Sequence, residues 1–159
     1  MKAVYIEEHG GPEVLKYGER PEPITGSDHV KVRVQASSLN RLDLYTRSGG
    51  RGLKRDFPPP LILGGDCSGD IIEVGEHVDQ LSVGDRVVVN PRMTCNMCSA
   101  CVSGKDDLCS KSTFMGSAVD GSYAEVVSVP AVNAHTCLLY TSDAADEGLG
   151  VDLGGRRII

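Results

Sequence analysis

The chain has 159 residues, enough for one core-bearing domain, with 40% hydrophobic and 24% charged residues, the ordinary balance of a globular protein. Its formal net charge of −6 argues against nucleic acid or an anionic membrane surface as a partner, and no apolar run approaches the length of a membrane span. Nineteen glycines and eight prolines, with no tryptophan and two phenylalanines, favour a turn-rich β domain over a helical bundle.

In chain order, Lys2 to Glu7 alternates as a first strand, Gly10-Gly11-Pro12 breaks it, and Glu13 to Tyr17 reads as its hairpin partner. Val30, Val32 and Val34 alternate with Lys31, Arg33 and Gln35, which is the period of a half-buried strand. Asn40 is a good helix N-cap and Gly49-Gly50 a good stop, so Asn40 to Arg47 predicts two helical turns. Arg51 to Pro60, ending in three consecutive prolines, reads as a mobile loop. Leu61-Ile62-Leu63 then enters Gly64-Gly65-Asp66-Cys67-Ser68-Gly69, whose small residues permit close backbone approach, before a strand at Ile71 to Val74. Val83 to Arg86 is a turn feeding Val87 to Val89, and Tyr123 to Val129 is the last strand, ended by Pro130. Short strands at near-regular spacing predict a compact β-barrel or sandwich.

The most informative stretch hangs from the end of the Val87 strand. Cys95, Cys98 and Cys101 are each separated by two residues, and Cys109 follows after seven more. Four thiolates so spaced suit a closed tetrahedral Zn²⁺ shell, which leaves no position for water and is therefore structural. Disulfides are the alternative, but they belong to secreted chains, and Met1-Lys2-Ala3-Val4 opens an alternating strand with no apolar signal core, so a reducing, cytoplasmic setting is expected. A nucleic-acid-binding zinc ribbon needs a basic face, and this loop offers Arg92, Lys105 and Lys111 against Asp106 and Asp107.

Taken together, the strand, the Asn40 helix, the Gly-rich turn, Gly84-Asp85-Arg86-Val87 and the Cys₄ lobe occur in the order of one family. From Met1 to about His135 the chain resembles the GroES-like catalytic domain of the medium-chain dehydrogenase/reductases, the zinc-type alcohol dehydrogenases and their quinone reductase relatives. The resemblance implies a mainly β, partly open GroES-like barrel over residues 1–136, with short helices and a projecting Cys₄ zinc lobe at about 91–111. It further implies NAD(P)(H) bound by a Rossmann domain beyond this sequence, a small-molecule substrate (quinone, enone or alcohol), and a parent homodimer or homotetramer.

Departures from the family pattern shape the functional expectation. In zinc-catalytic members a cysteine stands at the position of Asn40 and a histidine at that of Gly65, and those side chains hold the active-site metal. Asn40, Asp43 and Tyr45 match instead the Asn-x-x-Asp-x-Tyr pattern of zinc-independent quinone and enone reductases. The resemblance therefore implies Asn40 and Tyr45 as hydrogen-bond donors at the nicotinamide and the substrate oxygen, with Asp43 fixing the helix, and no catalytic metal. An improvised metal site from Asp66 and Cys67 with Asp43, a zinc-dependent alcohol dehydrogenase, and a non-enzymatic GroES-like binding module are the competing readings.

From Cys137 the sequence changes character. Cys137 to Asp146 and Val151 to Ile159 read as the two ends of a sequencing adapter translated in frame, which makes 137–159 a non-native tail and the chain a truncated piece of a longer protein. Gly148-x-Gly150 with Gly154-Gly155 is then no dinucleotide fingerprint, since no buried strand precedes it.

Overall fold

The computed structural model describes residues 1–57 and 59–137. Its first strand, β1 (Lys2–Ile6), is followed by a single 3₁₀ turn at Pro12–Val14 and by β2 (Lys16–Glu19). The hairpin partner thus begins later than the expected Glu13. Pro12 starts a tight turn that needs no N–H there, and Val14 is drawn under the sheet, so only the residues after Leu15 are free to pair. Next come β3 (His29–Ser37), α1 (Arg41–Ser48), β4 (Leu61–Ile62), β5 (Cys67–Val74) and β6 (Arg86–Val89). β7 (Arg92–Met93) and β8 (Thr113–Phe114) bracket the cysteine lobe, which contains the one-turn α2 (Ser99–Val102). β9 (Val126–Pro130) and β10 (Ala134–Thr136) complete the described chain.

The strands form a three-stranded sheet in the order β2-β1-β4, a five-stranded sheet in the order β10-β6-β5-β3-β9, and the β7-β8 pair. Every pairing between these strands is antiparallel. The valine alternation of β3 is borne out, with Val30 and Val32 fully buried and Arg33 exposed. They pack against Ile71, Val87, Val89, Val127 and Val129, and each such side chain contributes about 1.5–3 kcal/mol by leaving water. A smaller cluster of Ile6, Val14, Leu61 and Leu63 lies under Phe57 and Tyr123.

Residues 121–125 stitch the two main sheets into a partly open barrel. Val4 N–H donates to Tyr123 O at 2.7 Å, Tyr123 N–H to Leu63 O at 2.9 Å, and Val34 N–H to Glu125 O at 3.0 Å. Consequently regular pairing in the last strand starts at Val126, three residues after the expected Tyr123, and Pro130 sits at its end. Conversely, β5 starts at Cys67, four residues before the expected Ile71, because Gly69 lets Arg33's carbonyl approach to where a side chain would stand: a Cβ there would lie 2.0 Å from that oxygen.

α1 forms where the caps predicted it. Asn40 precedes it in extended backbone, the Asp43 carboxylate reaches back to Asn40 N–H at 2.8 Å, and Gly49 ends it at φ 70°. The loop after it holds no strand or helix in its described part, yet it is anchored. His9 Nε2 accepts from Arg55 N–H at 2.9 Å while His9 Nδ1 donates to Thr46 O at 2.9 Å, which fixes the tautomer and ties the loop to the end of α1. The adapter-like segment, apart from the exposed Cys137, lies outside the described residues.

Candidate functional site

The cysteine lobe comes first because its geometry is the most constrained. Cys98 caps α2, Cys101 lies within it, and Cys95 and Cys109 close the circle from either side. The four Sγ atoms lie within 4.8 Å of one another, with Cys98–Cys101 at 3.5 Å, Cys95–Cys109 at 3.6 Å and Cys95–Cys101 at 4.0 Å. Four sulfurs at 2.3 Å from a tetrahedral Zn²⁺ stand about 3.8 Å apart, so the donor set and its spacing fit that ion. All six cysteines of the chain are free thiols. Backbone N–H groups of Met97 and Cys98 hold the Cys95 thiol down at about 6, making it a thiolate at neutral pH. Removal from water pushes Cys101 up to about 12, so zinc entry must displace protons from the cluster. Among the described residues this is the single group of three or more potential ligands close enough for a metal.

The second site lies where β3 meets α1. Asn40 Nδ2 donates to Asp66 Oδ2 at 2.7 Å and to Ser38 Oγ at 3.2 Å, while Ser38 Oγ donates to the same Asp66 oxygen at 3.0 Å. The Asp66 carbonyl is held as well, by Ser37 Oγ at 2.8 Å and Ser122 Oγ at 3.1 Å. Both protons of the Asn40 amide are thereby committed, and its remaining polar atom is Oδ1, an acceptor that faces the Asp43 N–H across the capping box and keeps a second lone pair. Asp43 is buried and its Oδ2 accepts from Asn40 N–H and, at 2.7 Å, from the hydroxyl of Tyr123. Burial first, and the Asp43 bond second, hold that hydroxyl above the usual tyrosine range. Tyr123 escaped the sequence reading because its partner is 80 residues away; the only local sign was an aromatic beside Gly121 and Ser122.

Two hollows flank this lock. One of about 330 Å³ is walled by Leu15, Leu39, Leu44 and Leu63 with Asn40, Asp43 and Tyr123; another of about 240 Å³ is lined by Ser38, Asp66 and Val88 among others. A larger hollow, about 730 Å³, is bordered by none of these residues. Tyr45 lines neither flanking hollow. Its half-buried ring lies under the Arg51 guanidinium at 4.9 Å, and its hydroxyl makes no hydrogen bond among the described residues. An improvised metal site is not assembled. Cys67 faces the core at 4% exposure, where burial pushes its thiol up to about 12, and Asp43 is enclosed by its donors. Gly65 offers no side chain, although a Cβ there would meet nothing nearer than 3.7 Å.

This combination of an antiparallel, partly open barrel with a projecting Cys₄ lobe defines the GroES-like class. Residues 26–138 match the family model of the alcohol dehydrogenase GroES-like domain, and the chain belongs to that family. It is 37% identical over 114 residues to sorbitol dehydrogenase of Bacillus subtilis (strain 168), covering 71% of this chain and 32% of the relative. To L-threonine 3-dehydrogenase of Caldanaerobacter subterraneus subsp. tengcongensis it is 31% identical over 134 residues, covering 84% and 38%. Among solved structures, an NAD-dependent alcohol dehydrogenase superposes with a TM-score of 0.81 at 39% identity, over 86% of this chain and 39% of that one. A cobalt- and zinc-bound thermostable alcohol dehydrogenase from Pyrobaculum aerophilum gives 0.78 at 33%, over 86% and 40%. The chain thus spans between about a third and two fifths of the length of these relatives.

Proposed function

We propose that this chain is the substrate-side domain of an NAD(P)(H)-dependent oxidoreductase that reduces quinones or enones without a catalytic metal, the Cys₄ zinc being structural. The observation that carries this reading is the Asn40–Asp66–Ser38 lock. Where zinc-catalytic relatives would present two ligands, this chain has an amide committed to a carboxylate and a glycine. The dehydrogenase relatives support the redox class and the nicotinamide cofactor.

NAD(P)H, held by a further domain, would supply the hydride. The chain's own residues then have separate tasks. Asn40 Oδ1, whose second lone pair makes it the remaining acceptor of the lock, suits the amide N–H of the nicotinamide. The Tyr45 hydroxyl, without a hydrogen-bond partner among the described residues, is the donor for the substrate oxygen that gains negative charge, where that oxygen extends past the apolar hollow toward the Arg51 side of α1. The apolar hollow beside Asn40 takes the body of a small hydrophobic substrate and keeps water from the reacting face.

A second reading, alcohol oxidation, is favoured by the names of the relatives and by the acceptors at the lock, Asn40 Oδ1 and Asp66, which could receive a substrate hydroxyl. The two separate in the full-length parent. Tyr45→Phe is expected to lower quinone or enone turnover by about 10²–10³, the usual worth of one oxyanion donor, and Asp66→Asn by far less. Efficient turnover of alcohols with indifference to quinones and enones would replace this reading by the second.

A further inference from the structure

We infer that Tyr123 is a positioning residue that sets the aim of the Asn40 carboxamide through the buried carboxylate of Asp43. The inference deepens the proposed function, because Asn40 is the group being aimed.

Tyr123 is the fixed end of the chain of contacts. Its carbonyl accepts from Val4 N–H at 2.7 Å and its N–H donates to Leu63 O at 2.9 Å, so its backbone belongs to the seam between the sheets. Its ring lies over Gly64, where an added Cβ would meet it at 2.4 Å. From that seat the hydroxyl reaches Asp43 Oδ2 at 2.7 Å, the oxygen that also takes Asn40 N–H at 2.8 Å. Asp43 is 5% exposed, so water does not replace a lost donor, and a buried carboxylate short of one donor must turn or shift. The residue it holds by the backbone is Asn40, whose side chain meets Asp66 26 residues away in sequence. A small rotation of the helix start therefore becomes a displacement of Oδ1. The Tyr123 hydroxyl stays protonated well above neutrality, as a permanent donor must.

The test reads the Asn40 side-chain NH₂ pair of the zinc-loaded 159-residue chain by ¹⁵N–¹H NMR, assigned through Asn40→Asp. Tyr123→Phe is expected to move both proton signals, whereas Tyr17→Phe, on an exposed strand tyrosine, leaves them in place. Gly64→Ala displaces the Tyr123 ring without touching Asp43 or Asn40 and should move them too, which keeps the test decisive if Tyr123→Phe does not fold. Unmoved Asn40 signals in either folded variant would overturn the inference. No turnover is read, so an error in the proposed reaction leaves this result standing, and the reverse also holds.

Discussion

Tyr123 carries consequences beyond its partner. In an unfolded chain a tyrosine ionises at about 10, while in the fold burial and the Asp43 bond raise that value. The fold thus keeps a proton that the unfolded chain releases, and the tyrosine's contribution is complete below about pH 10 and is lost as pH rises from there through the folded value. The stability advantage of the native chain over Tyr123→Phe, from urea unfolding, should accordingly shrink between about pH 9 and pH 11. An advantage that grows over that range means the hydroxyl is not hydrogen-bonded in its neutral form. At this scale the sequence was readable where chemistry is local. Cys95, Cys98 and Cys101 announce themselves by spacing, and Asn40 by its place before a helix. Tyr123, Ser37 and Ser122 were not readable, because their partners are 29 to 85 residues distant and hydroxyls carry no periodicity.

Among the elements, the turn before β5 depends on two adjacent glycines with different needs. Gly64 has φ +97° and its missing Cβ is replaced by the Tyr123 ring, whereas Gly65 has no positive φ and a Cβ there would make only ordinary contacts, 3.7 Å to Pro91 and 3.8 Å to Met115 O. Gly64→Ala should cost more than about 1 kcal/mol through strain and displacement of that ring. Gly65→Ala should stay within about 0.5 kcal/mol, as substitutions without a clash usually do. Equal costs in thermal unfolding would show that the turn is not built as described. The lobe between β7 and β8 has no apolar core of its own, with Met97, Val102 and Leu108 all exposed, so the metal is its cohesion. Cys109→Ser should lose zinc and speed hydrogen exchange throughout 94–112 while Val30 and Val87 keep their protection; exchange unchanged in the lobe would contradict a structural metal. α1 was legible because capping chemistry is local. β2, β9 and the short β7, β8 and β10 were misplaced or missed, since pairing across the chain, and not propensity, decides where such strands begin.

For the whole molecule, the fold class was legible because valine alternation, turn glycines and the absence of long helices all point to a β-barrel, and the family match over 26–138 agrees. How the sheets close was not legible, because residues 121–125 bridge them by main-chain bonds, which leave little mark on residue type. No helix among the described residues is long and apolar enough to cross a membrane, and none follows a strand through a Gly-rich phosphate turn. Under the proposed function, cofactor binding would fall to chain of the kind that relatives two to three times longer possess. We propose that the parent enzyme's one zinc is structural and that its chemistry is done by hydrogen bonds. Metal analysis of the active full-length parent tests it most directly. The expected result is one zinc per chain, retained by the four cysteines, with turnover unaffected by a chelator that leaves it in place. Two zinc ions per chain, with activity lost as the second is removed, would contradict it.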